Sequence, residues 1–151
     1  MSEHSATIRW ERETEDFRLE TYSRTHTITY AGGITVKASA APNYKGDPSL
    51  VNPEEAFVAS LSSCHMLTFL ALAAKAGFAV AAYEDEAVGT MIKAENNVRW
   101  ISEVTLRPKI TFAGPDRPDP ERLRQLHDSA HHHCFIANSV KTAITVTARR
   151  P

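Results

Sequence analysis

The chain has 151 residues, the size of one domain, and its 42% hydrophobic and 23% charged content is ordinary globular usage, which excludes a disordered protein. Its 17 Lys and Arg against 18 Asp and Glu leave a formal charge of −1, without the basic excess that a nucleic-acid or anionic-membrane binder needs. The opening MSEHSATIRW has neither a basic nor an apolar leader, and two cysteines are too few for a secreted disulfide framework. The expectation is a cytoplasmic protein with no membrane and no nucleic-acid partner.

Ala6–Trp10 and Thr25–Tyr30 alternate β-branched or aromatic residues with polar ones, as half-buried strands do. Ala31-Gly32-Gly33 then supplies a turn and Ile34–Ala38 resumes the alternation, which predicts an antiparallel hairpin. Pro42–Leu50 reads as a loop. Asn52 caps a helix opened by Pro53, Glu54 and Glu55, and the run that follows is apolar on nearly every side until Gly77 stops it. Its most apolar stretch, from about Met66 to Val80, is interrupted by Lys75 and Gly77, too short and broken for a membrane span, and reads as a core helix.

Two strand-like stretches follow, roughly Ala79–Met91 and Val98–Phe112, around a polar turn at Glu95-Asn96-Asn97. Pro115, Pro118 and Pro120 make a loop, and Pro120 to about His132 is an amphipathic helix carrying Leu123, Leu126 and Ala130. Beyond Cys134 come a short helical turn (Ile136–Val140) and a closing strand (Thr142–Ala148). The order predicts the α+β class, largely antiparallel sheets packed around a long buried central helix. One chain has a single layer of sheet to offer such a helix; a homodimer, two sheets around paired helices, would cover it.

Cys64 sits mid-helix, with Ser60, Leu61, Leu67 and Thr68 as its helical neighbours. It is either a small hydrophobe in the core or a nucleophile, and an apolar surround raises a thiol pKa unless a cation faces it. Glu54 opens the same helix ten positions earlier, about 15 Å along a straight axis at ~1.5 Å per residue. It either answers the helix dipole or shares a site with Cys64, in which case the helix breaks or a second subunit supplies one of the two. Arg24 begins the second strand, where an arginine is either surface solvation or a functional cation, with His26 as a further polar wall. His127, His131 and Cys134 have H-x3-H-x2-C spacing, with His132 and His133 in reserve. This is a candidate zinc or copper set without a visible fourth ligand, and it supports an alternative reading as a non-enzymatic metal-binding protein. A module that binds an apolar ligand between the helices, with the cysteines merely structural, is the third reading.

Asn52-Pro53-Glu54-Glu55, Cys64 nine positions on, and Cys134 ahead of Ile136-Ala137-Asn138-Ser139 together resemble the OsmC/Ohr family of osmotically inducible and organic-hydroperoxide-resistance thiol peroxidases. The resemblance implies one OsmC-like domain over residues 1–151, in an intertwined homodimer. It makes Cys64 the peroxidatic cysteine, Cys134 the resolving one, and Glu54 the family's carboxylate. Arg24 takes the place of the family's arginine, with Lys45, in the loop before Asn-Pro, as the other choice. The implied activity is reduction of organic hydroperoxides to alcohols without a cofactor, through a Cys64 sulfenic acid and a Cys64–Cys134 disulfide that a dithiol reductant of the lipoyl type reopens. Arg24 would favour the Cys64 thiolate, and Glu54 would orient that guanidinium through a bidentate fork. Phe57, Leu61 and His65 would line the hydroperoxide, with Met66, Leu67 and Phe69 beside them. Two positions depart from the family pattern: His65, where an apolar or small residue is usual after the cysteine, and Phe135, where proline usually follows Cys134.

Overall fold

Alternating β-branched residues draw the start of the chain into a three-stranded meander. β1 (Ala6–Arg9) pairs antiparallel with β2 (His26–Tyr30) in a register running from Ala6–Tyr30 to Arg9–Thr27. β2 in turn pairs with β3 (Thr35–Ala38) from His26–Ala38 to Thr29–Thr35. Gly33 makes the hairpin possible by taking φ +84°, which lets its N–H reach the Tyr30 carbonyl at 2.8 Å while Tyr30 N–H donates to Ile34. The computed structural model describes residues 1–149, which sort into two compact units, residues 1–56 and the chain from Phe57 on. The meander and the loop behind it form the first unit. In that loop Ser39 N–H donates to Val51 O at 2.9 Å, and the predicted loop residues Pro42–Tyr44 wind into a single 3-10 turn.

Helix α1 (Pro53–Lys75) begins and ends where capping chemistry places it. Asn52 Oδ1 accepts the Glu55 N–H at 2.9 Å and the Glu55 carboxylate accepts the Asn52 N–H at 3.1 Å, a reciprocal capping box. At the far end Gly77 takes φ +83°, Phe78 N–H returns to Ala73 O at 3.0 Å and Gly77 N–H to Ala74 O at 3.1 Å, a Schellman closure. At 23 residues α1 has the extent read from Pro53 to Gly77. With a mean hydropathy of 1.7 over its most apolar stretch it meets the length and apolarity of a membrane span, contrary to the reading of Met66–Val80 as too short and broken. Within the chain it is buried on one face, rather than on most sides as the sequence suggested. Leu61, His65, Phe69 and Ala73, four residues apart on one face, are buried against the strands and helix of the second unit. Phe57, Val58, Leu70 and Leu72 are half-buried beside that face, whereas Leu67 stands 60% exposed.

The two long strands expected after α1 are four. β4 (Val80–Asp85) pairs antiparallel with β7 (Pro108–Phe112), whereas β5 (Val88–Lys93) pairs antiparallel with β6 (Arg99–Leu106) in a separate sheet. The chain changes sheet at Glu86-Ala87 and at Arg107. There the Asp85 carboxylate accepts the Arg107 N–H at 2.6 Å, withdrawing it from the ladder, and Pro108 has no N–H to offer. β8 (Ala143–Val146) joins the other edge of β6 in parallel, from Glu103–Ala143 to Leu106–Val146, so the sheets are largely but not wholly antiparallel. Helix α2 (Pro120–His133) starts at Asp119, whose Oδ1 accepts the Arg122 N–H at 2.7 Å.

Two apolar clusters close the second unit. Phe69 and Ala73 of α1 pack with Ile110 of β7 and with Leu126 and Ala130 of α2; Leu61 packs with Val104 and Leu106 of β6. Leu61→Ala is expected to cost about 2–5 kcal/mol and Asn52→Ala about 1 kcal/mol in urea unfolding, since one opens a cavity in a filled core and the other removes a helix cap.

Candidate active site

α1 and α2 each carry one of the two cysteines, and their packing brings the sulfurs together. Cys64 lies half-buried on α1. Cys134 ends α2 as its C-cap residue and is 1% exposed. The sulfurs are 2.7 Å apart with both cysteines free thiols, and the Cys134 thiol donates toward Cys64. Burial first, and then the hydrogen bond to Cys64, push the Cys134 thiol up to about 11, although the Ala137 N–H, 3.4 Å from its sulfur, favours the anion. Cys134 is thus a protonated thiol at neutral pH, and the more accessible sulfur is Cys64.

His65 follows Cys64 in sequence and turns into the core. Its Nε2 lies 3.1 Å from His127 Nδ1 of α2, with the two rings nearly parallel at 7°. His127 is stacked in turn on Phe69, at 4.5 Å between centroids. Burial, reinforced by the neighbouring His131, lowers His65 to about 4, while Asp85 pulls weakly the other way; burial and His65 lower His127 to about 4. Both rings are therefore neutral at pH 7. Either arrangement of their protons leaves one outward nitrogen an N–H without an acceptor, since His65 Nδ1 and His127 Nε2 have no partner among the described residues.

These placements revise several expectations. Leu61 and His65 belong to the buried face of α1, 1% exposed each, and offer no surface to a hydroperoxide in the single chain; Phe57 is half-buried beside the Leu61 cluster. The His127, His131 and Cys134 set is not assembled: His127 points at His65, His131 is solvent-exposed, and among the described residues no three His, Cys, Asp or Glu side chains are placed to hold a metal ion. The cause is α2's own amphipathicity, which turns residue 127 inward with Leu126 and Ala130 and leaves 131 outside. Spacing along a helix had suggested a shared metal because i and i+4 face alike, but these two straddle the edge of the buried stripe.

In the first unit, Arg24 lines a cavity of about 430 Å³ together with Ile8, Trp10, Phe17, Tyr22 and His26. Its guanidinium lies over the Tyr22 ring at 3.8 Å and donates to the carbonyls of Leu19 and Tyr22. The expected fork with Glu54 is not formed: Arg24's donors go to its own segment, and Glu54 Oε2 is buried without a partner. Glu55, not Glu54, completes the helix cap. Lys45, the other choice for the arginine's role, is exposed, with φ +62°. α1 runs unbroken from Pro53 to Lys75, so a helix break does not bring Glu54 to Cys64.

The span containing the helix cap, both cysteines and every strand of the second unit decides the family. Residues 46–149 match the family described as OsmC-like protein. The chain belongs to the OsmC-like family. A solved OsmC-like protein of unknown function from Vibrio cholerae O1 biovar eltor str. N16961 is 44% identical to it, covering 99% of this chain and 100% of that one, with a TM-score of 0.95. An organic hydroperoxide resistance protein from Elizabethkingia anophelis is 19% identical over 99% of this chain and 96% of its own, with a TM-score of 0.72. The organic hydroperoxide resistance protein OhrB of Bacillus subtilis is 18% identical over 99% and 98%, at 0.65. The last two share this OsmC-like fold. Comparison with curated proteins returns no match.

The histidine pair was missed in the sequence, although its signal was there. Positions 61, 65, 69 and 73 fall on one helix face whose other members are Leu, Phe and Ala, which marks residue 65 as a core position. Since both rings titrate lower in the fold than the 6.5 of a free histidine, the unfolded chain binds more protons between about pH 6.5 and 4. Thermal stability is expected to be full above that window and to fall as pH drops through it, with a shallower fall in His127→Gln. Iodoacetamide is expected to label Cys64 well before Cys134 at neutral pH, as read by peptide mass mapping.

Proposed function

We propose that this OsmC-like protein is a thiol peroxidase that reduces organic hydroperoxides to alcohols. The observation that carries the reading is the pair of free sulfurs 2.7 Å apart, one accessible and the other buried and protonated. Two relatives of the same fold are named as organic hydroperoxide resistance proteins, which supports the same theme of defence against peroxide.

The Cys64 thiolate attacks the terminal oxygen of the hydroperoxide. The O–O bond breaks, the alkoxide takes a proton and leaves as the alcohol, and Cys64 becomes a sulfenic acid. The Cys134 thiol then displaces the hydroxyl, so that an S–S bond forms and water leaves. A dithiol reductant of the lipoyl type reopens the disulfide by two exchanges and departs oxidised. The high pKa of Cys134 suits the second role, because a thiol that stays protonated neither competes for peroxide nor repels the attacking anion.

The reading gives Arg24 and Glu54 to the same centre. Since α1 is unbroken and the fork is open in one chain, they are supplied to Cys64 by a second copy, in a homodimer that also covers Leu67 and the 81% exposed Phe135. There Glu54 would orient the guanidinium, and the guanidinium would steady the thiolate and the departing alkoxide. Phe57 is the remaining apolar candidate for the substrate's organic part. A cytoplasmic location, where two free thiols stay reduced, fits this chemistry. The second reading, an apolar-ligand module without redox chemistry, has the Trp10–Phe17–Tyr22 cavity in its favour.

Stoichiometric cumene hydroperoxide added to the reduced protein is expected to yield an intramolecular Cys64–Cys134 disulfide by mass spectrometry. Cys134→Ser should instead stop at a Cys64 sulfenic acid that dimedone traps, and Cys64→Ser should lose turnover. Arg24→Met should lower turnover by on the order of 100-fold. Unmodified cysteines after peroxide treatment, or turnover retained in Cys64→Ser, would overturn the peroxidase and leave the ligand-binding module.

A further inference from the structure

The proposed chemistry uses two sulfurs and leaves a buried polar contact beside them unexplained. Each histidine of that contact sits on the helix that carries one cysteine: His65 is the residue after Cys64 on α1, and His127 lies two turns before Cys134 on α2. Their 3.1 Å contact is the buried polar link between the two helices, flanked on α2 by Leu126 and Ala130. A leucine pair would fill such a position without leaving a ring N–H unsatisfied. We propose that His65 and His127 are positioning residues that hold α2 in the register that sets the Cys134 thiol against Cys64, and that double protonation of the pair releases it.

The proton count gives the release its sense. In the neutral pair one ring N–H donates into the other ring's lone pair. A first added proton goes to an outward nitrogen and leaves that bond intact. A second must occupy the lone pair between the rings, which puts two N–H groups and two positive charges face to face. The charged and titratable groups around the pair come from three elements. His131 of α2 adds to the repulsion, and Asp85 of β4 opposes it. The Asp85 oxygens are already engaged by the Ser62 hydroxyl of α1 and the Arg107 N–H. Tyr83 of β4, packed on the far side of Phe69, is held neutral by burial and by Asp85. Cys64 and Cys134 themselves complete the set.

The inference rests on Cys64 and Cys134 as the redox pair, but its test needs no peroxide. In a buffer of reduced and oxidised glutathione, the Cys64–glutathione mixed disulfide and the Cys134 thiol exchange with the Cys64–Cys134 disulfide and free glutathione. One thiol enters and one leaves, so no proton enters the balance, and the ratio of the two disulfides reports how well Cys134 is positioned. A selenol catalyst keeps the exchange fast in acid, and near-ultraviolet circular dichroism follows the fold. The wild-type ratio is expected to fall several-fold between pH 7 and about pH 3, with most of the fall below pH 4, where the second proton enters and the pair's hydrogen bond is lost. In His127→Gln, which can still hydrogen-bond His65 but does not titrate, the ratio should stay level; His65→Gln gives the same reading should the first variant not fold.

A wild-type ratio that stays flat across this range overturns the proposal. So does an equal fall in wild type and variant, or loss of the native circular dichroism in both over the same range. A flat ratio with peroxide turnover intact removes only the histidine role, whereas a pH-dependent ratio without turnover removes only the peroxidase.

Discussion

The meeting of α1 and α2 is the constraint on which the candidate chemistry depends. Two cysteines seventy residues apart approach to 2.7 Å because Phe69 and Ala73 of one helix interlock with Leu126 and Ala130 of the other, over Ile110 of the sheet. The apolar contacts set the spacing of the helices, and the buried histidine contact fixes a polar point of register between them. Hydrophobic packing is non-directional and tolerates a helix sliding by a fraction of a turn, whereas a hydrogen bond between two rings does not. The sulfur geometry therefore inherits its precision from residues that never touch a substrate.

Burial separates the surroundings of the two thiols. At the C-terminal cap of α2, the Cys134 backbone is tied on both sides: its N–H returns to His131 O at 3.3 Å and its carbonyl accepts from Asn138 N–H at 3.1 Å. The sulfur at this anchored position is nearly dry and stays protonated. Cys64, one residue round the helix from a wholly buried position, keeps a path to solvent. Two chemically identical side chains thus differ in their access to solvent because of their surroundings.

Much of the fold was legible because helix ends are written locally. Asn52, Pro53 and Gly77 set α1 to the residue, and Asp119 with Pro120 set the start of α2. The strands after α1 were less legible, since nothing in the 79–91 and 98–112 runs announces that Asp85 will capture the Arg107 N–H and send each run into two sheets. The parallel seat of β8 beside β6 is a long-range choice without a local signature. In the site, the cysteines were legible as a resemblance, and the fold brings their sulfurs to 2.7 Å. The Arg24–Glu54 fork was not, because whether a guanidinium meets a carboxylate or the carbonyls of its own loop is decided by tertiary packing. Residue 65 was read as substrate lining from its neighbour in sequence, when its neighbours in space lie at intervals of four.

The modest grip on α2 bears on how anything larger than a peroxide could ever reach Cys134. Only Leu126, His127 and Ala130 of its fourteen residues are buried, and one of those three leaves a ring nitrogen unsatisfied. Segments with so little interior are the ones that detach in sub-global openings, below the free energy needed to melt the sheets behind them. The buried sulfur ends that segment, so a local lifting of residues 120–134 is the route by which a bulky reducing partner gains entry to it.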